Sequence, residues 1–159
     1  MTDHPHLDIR VPVRWADLDA YGHVNNAAVA SLLEEARIEA FWPVPEDHLA
    51  GGAQPPTIAL PLDDGLQTFI ASQTLEYRRA ISHRRDGVVV RLWISRIGGA
   101  SLTVDYQLLT TDDPAGEHPY VLARTVVVLV DRDGRPARMT GPVRERLESI
   151  QGPPLVFRS

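Results

Sequence analysis

Between Arg14 and Asn26 the chain reads RWADLDAYGHVNN. Asp17 and Asp19 stand two positions apart, then come Gly22, His23 and the pair Asn25-Asn26, directly before a segment with helical periodicity. Three chemistries suit such a set. Acidic and amide side chains at a helix start satisfy its unpaired N–H groups and meet the positive end of its dipole. Carboxylates with an imidazole can hold a divalent ion. The same set could also be the working end of an enzyme, since carboxylates and imidazoles serve as general acids and bases. His23 is a candidate general base, as histidines often are, and is equally able to bond the turn itself. Asn25 either positions a water or carbonyl or caps the helix, and Gly22 suits a turn that needs positive φ or close approach of a substrate. The metal reading lacks further ligands, because no other His or Glu cluster has ligand spacing and His4 and His6 fall in a segment that reads as frayed. No metal is expected.

The elements that hold this segment must come from one domain, since 159 residues suffice for a single core without staples. At 43% hydrophobic and 23% charged residues the chain is globular rather than disordered. Cysteine is absent, which excludes disulfides, thiolate nucleophiles and cysteine-based metal sites. The net charge of −5 and the lack of a basic block argue against nucleic acid as a partner. The first residues have no apolar core of a signal peptide and the longest apolar run is too short to cross a bilayer, so a soluble cytoplasmic protein without a membrane partner is expected.

LDIRVPVRW alternates Leu7, Ile9, Val11, Val13 and Trp15 on one face, which predicts a strand, with Pro12 marking an edge or a bulge. Val29, Leu32, Leu33, Ala36 and Ala40 recur at helical spacing, with Glu34, Arg37 and Glu39 away from that stripe. Asn25 or Asn26 would cap this helix and Pro43 would stop it. Residues 43–66 carry too much proline and glycine for regular structure and read as a functional loop or lid. Four strands follow; in the first, Phe69, Ala71, Gln73, Leu75 and Tyr77 share a side, and Asp86-Gly87, Gly98-Gly99 and DDPAG supply turns. TGPVRERLESI predicts a short helix with Pro142 in its first turn, and residues 1–6 and 152–159 read as flexible tails. Short turns imply antiparallel pairing. The expected architecture is therefore α+β: a curved antiparallel sheet of about five strands wrapped around one apolar helix.

These residues resemble the hotdog-fold acyl-CoA thioesterases, in particular the 4-hydroxybenzoyl-CoA thioesterase-like group. The likeness begins at Arg14 and runs through DLDAYGHVNNA and EEAR, resumes at QTLEYRRAI, and continues through VVVRLWISRIGGASLTVDYQL and ARTVVVLVD. The resemblance implies that Asp19 is the catalytic carboxylate, as nucleophile or as general base for water. It implies that the backbone N–H of Asn26 is the oxyanion donor, with Asp17 ordering the loop. Apolar residues at the position of His23 in similar sequences argue that histidine is not obligatory there. Val29 replaces a tyrosine common in the group and alters the pocket wall. The SRIGGASL turn offers Arg96, Gly98, Gly99 and Ser101 to the nucleotide phosphates of coenzyme A, or forms a plain hairpin. Arg78, Arg79, His83, Arg84 and Arg85 form a basic cluster able to steer a polyanion. No cofactor is implied. The expected activity is hydrolysis of a fatty or aromatic acyl-CoA by a homodimer or homotetramer with sites at the dimer interface. The alternatives are an acyl-carrier-protein thioesterase or hydratase on the same scaffold, and a non-catalytic acyl-CoA binder.

Overall fold

The computed structural model describes residues 3–42, 50, 58, 60–61 and 65–158; most of the expected 43–66 loop lies outside the described residues. Five strands form one sheet: β1 (Leu7–Val11), β2 (Gln67–Tyr77), β3 (Val88–Ile97), β4 (Ser101–Leu109) and β5 (Val121–Val130). They lie in the order β1-β3-β4-β5-β2, every neighbouring pair antiparallel. With α1 (Asn26–Phe41) on one face and α2 (Gly141–Glu148) near the C-terminus, this is the expected α+β hotdog architecture.

β1 is an edge strand, paired with β3 alone, and it stops at Val11. Pro12 has no N–H to extend the ladder. The chain instead winds into a 3-10 turn at Trp15–Asp17, which takes Trp15 off the strand face predicted for it and leaves it 72% exposed. Gly87, at φ +72°, closes the turn before β3; a Cβ there would stand 2.5 Å from the Val11 carbonyl, so only glycine lets β3 start against the end of β1.

The core lies between α1 and the inner face of the sheet, where Val90, Leu92 and Ile94 of β3 meet Val104, Tyr106 and Leu108 of β4. The predicted stripe of α1 is buried, and the Asn25 side chain accepts the Ala27 N–H as the helix cap. Arg37 departs from expectation: it is only 8% exposed and lies on the buried face rather than away from it. In β2 a bulge between Ile70 and Ser72 shifts the register by one residue, so Ile70 and not Phe69 shares the helix side with Leu75 and Tyr77. Period-two reading across residue 71 therefore assigned Phe69 to the wrong face.

The segment after α2 is not a loose tail. Gly152 N donates to Ile94 O, Trp93 Nε1 to Pro153 O, Leu155 N to the buried Asp105 carboxylate at 2.7 Å, and Arg158 N to Glu76. These bonds lay residues 152–158 across the outer face from β3 to β2. His4, also expected in a frayed end, packs its ring on Trp93 with centroids 4.6 Å apart. Backbone groups of the segment pair with polar side chains of the outer sheet face, a pairing that hydropathy of the tail does not signal.

Candidate active site

The segment between β1 and α1 is folded on itself by its two carboxylates, which do different work. Asp17 is buried, accepts the Arg14 N–H at 2.7 Å and pairs with the Arg14 guanidinium at 2.9 Å. The bond from the Arg14 side chain holds its carboxyl below the usual carboxylate range, and its own carbonyl accepts the Asn25 N–H at 2.7 Å. Asp17 thus fixes the loop that delivers the chain to α1.

Asp19 organises the next turn. Its Oδ1 accepts the N–H groups of Tyr21 at 2.8 Å and His23 at 3.1 Å, while its backbone pairs with His23 and Gly22. Gly22 takes φ +78° to close that turn. One carboxylate oxygen is therefore committed to holding the loop, and among the described residues no donor occupies Oδ2. Val24 N donates to Ile81 O and His23 bridges to Ser82, so the loop is stitched to the segment that follows β2.

α1 begins at the other side of the same space. Asn25 takes the Ala27 N–H, and among the described residues no acceptor takes the N–H of Asn26, the first helical residue. The Tyr77 hydroxyl donates to the Asn26 carbonyl at 3.0 Å and anchors the helix start to the end of β2. Asp19, His23, Asn26, Val29 and Tyr77, with Arg78 to Ile81, surround a cavity of about 430 Å³. Asp19 and the first residue of α1 thus line one space large enough for an acyl group. Val29 stands in its wall, as the position predicts, and the Asn25 side chain is spent on the cap.

Tyr77, Ala80 and Ile81 join this wall without having been assigned a site role in the sequence. The signal was present only in the end of the β2 alternation and in the QTLEYRRAI likeness, and the partnership of Tyr77 with the helix start spans 51 residues. The basic cluster is dispersed into local contacts. Arg78 pairs with Glu76 at 2.7 Å, Arg84 with Asp86 and Asp112 at 3.2 Å, Arg79 lies over the Tyr120 ring, and the His83 ring stacks on Trp15.

Arg96, Gly98, Gly99 and Ser101 lie elsewhere. Gly98 N donates to Ser101 O at 2.7 Å, and the Gly98 and Gly99 carbonyls accept from Arg144 and Met139. Ser101 pairs with Val128, whereas Leu108 and Tyr77 both pair with Val121. The turn therefore sits at the opposite end of the sheet from Asp19, about 23 Å along β4. Among the described residues no three metal-ligating side chains come together, and Asp17 is taken up by Arg14.

The curved five-stranded antiparallel sheet around one helix is a hotdog-type architecture. The chain belongs to the thioesterase-like superfamily, whose family model matches residues 13–147. Among solved structures it is similar to a thioesterase from Thermus thermophilus complexed with coenzyme A and Zn, at 30% identity over 98% of this chain and 100% of that one, with a TM-score of 0.68. It is also similar to the PA2801 protein of Pseudomonas aeruginosa, at 28% identity over 87% and 95% of the two chains and TM-score 0.66. A 1,4-dihydroxy-2-naphthoyl-CoA thioesterase from Synechocystis shares the fold at 16% identity over 89% and 95% of the chains, TM-score 0.65. A search of curated proteins found no match.

Proposed function

We propose that the protein hydrolyses an acyl-CoA thioester in the pocket between Asp19 and the start of α1. The observation that supports this reading is that Asp19 and Asn26 line one cavity, with Asp19 Oδ1 held by two backbone N–H groups and no donor on Oδ2 among the described residues. A thioester carbonyl seated there would point its oxygen at the Asn26 N–H and the positive end of the helix. Oδ2 would attack the carbonyl carbon, or take the proton of an attacking water, and the thiolate of coenzyme A would leave. His23, in the same wall, and Asn25, which fixes the helix start, are assigned to positioning. The coenzyme A bound to the Thermus thermophilus relative supports this substrate class.

The reading includes assembly. β2 is an edge strand with Phe69, Ile70 and Tyr77 about half exposed, and such an edge invites pairing with a second copy. A two-fold axis through the edge runs the two β2 strands antiparallel. That brings the far end of the second copy's sheet to the side of the Asp19 pocket. The Arg96–Ser101 turn, remote within one chain, would then serve the neighbouring copy's coenzyme A, and two such dimers could pair again. Among the described residues no helix is long and apolar enough to cross a membrane, and cytoplasmic acyl-CoA is the substrate pool this reading assigns.

The test is steady-state hydrolysis of an acyl-CoA panel with detection of free thiol. Asp19→Asn and Asp19→Ala should each lower kcat by about 10²–10⁴-fold with the fold retained by circular dichroism. Full rate in both variants, or turnover of no substrate, defeats the proposal. Loss of an enoyl-CoA without thiol release would instead identify a hydratase.

A further inference from the structure

A second cavity, of about 660 Å³, lies between the C-terminal half of α1 and the β2, β4 and β5 strands. It shares no lining residue with the Asp19 pocket. Arg37 is eleven residues from Asn26, about 16 Å along the helix. The walls are mainly apolar, with Ile38, Phe41, Trp42, Leu102 and Val127 among them, and the volume falls within the roughly 300–1,000 Å³ of small-molecule sites.

Arg37 does not fit an apolar wall. Its side chain lines the cavity and it is 8% exposed, yet among the described residues its one hydrogen bond goes from Nη1 to the Tyr106 hydroxyl at 3.2 Å. Among the described residues no carboxylate pairs with it. Glu34, one turn earlier on the same cavity, is exposed and forms no ion pair with it. Tyr106 cannot supply the missing charge, because burial pushes its hydroxyl above the usual phenol range and keeps it neutral. Its remaining N–H groups are not sealed from solvent and belong to a residue that lines the cavity, and the partner that best matches such a guanidinium fork there is a bidentate oxyanion.

We propose that this cavity binds an apolar molecule through its carboxylate, with Arg37 as the carboxylate's partner and the walls covering the hydrocarbon. The carboxylate could arrive at the far end of an acyl group or on a free carboxylic acid, and the experiment separates the two.

Isothermal titration calorimetry of the full chain compares octanoate with octan-1-ol, which has the same chain length and no charge. Octanoate should bind about ten- to hundredfold more tightly, and in Arg37→Met the two should bind alike. Equal affinities in the wild type, or an octanoate preference that survives Arg37→Met, would overturn the assignment. Ile38→Trp leaves Arg37 in place and fills the cavity. It should weaken octanoate at least tenfold without lowering Tm, and unchanged octanoate binding would overturn the proposal as well. For the source, a lower KM for octanedioyl-CoA than for octanoyl-CoA, abolished by Arg37→Met, places the carboxylate on the substrate; equal KM values with octanoate still bound assign the site to the free acid. The kinetic arm rests on the thioesterase reading, whereas the calorimetric arm does not, so failure of one is distinguishable from failure of the other.

Discussion

Asp17 and Asp19 are the same residue type two positions apart, and what separates them is their donors. Asp17 has a guanidinium and a buried setting; Asp19 has two backbone N–H groups on one oxygen and lines an open cavity. A third aspartate shows how such partners tie charge to stability. The Arg84 bond, followed by that of Thr111, lowers the Asp86 carboxyl from 3.8 to about 2. Its folded value lies below its unfolded one, so its contribution is complete above about pH 5 and is lost as pH falls through 3.8 and then through about 2. Asp86→Asn should therefore lower Tm at pH 6, and the gap between the two Tm curves should shrink from about pH 4 downward and close only below about pH 2; a constant gap across that range contradicts the linkage.

At the scale of elements, the start of α1 carries two duties. Asn25 satisfies the Ala27 N–H, and Asn26, whose N–H has no acceptor among the described residues, lines the cavity. Asn25→Ala removes the cap at a cost of about 0.5–2 kcal/mol, a Tm loss of roughly 2–6 °C, whereas Asn25→Asp keeps an acceptor and should hold Tm near wild type. Equal loss in both variants would mean that Asn25 stabilises by something other than capping. The periodicity of α1 and the choice of Asn25 or Asn26 as its cap were readable from the sequence because both depend on neighbours within a turn. The end of β1 at Pro12 and the burial of Arg37 were less so. A proline permits either an edge or a bulge, and an arginine is placed on the polar side by any pattern that scores charge alone.

At the scale of the whole molecule, the sheet ends at one edge in the short β1 and at the other in the eleven residues of β2, which among the described residues pairs with β5 alone. Introducing Phe69→Lys together with Thr74→Lys should block pairing along that edge. Light scattering at micromolar concentration is expected to show a dimer or tetramer for the wild type and a monomer for the double variant. A wild-type monomer with full thioesterase activity would exclude a site shared between copies.

The sequence by itself determined the alternation of the strands, the apolar stripe of α1, the turn glycines and the motif that carries Asp19 to the helix start. Each is set by residues close along the chain, where spacing translates directly into geometry. Only the tertiary structure decided that Tyr77 braces the helix from 51 residues away, that the bulge in β2 moves Ile70 to the helix side, and that the last residues cross the outer face. It also decided that Arg37 lines a cavity with no carboxylate paired to it among the described residues. Those outcomes depend on which distant polar groups meet once the sheet has formed, and local periodicity carries no record of that meeting.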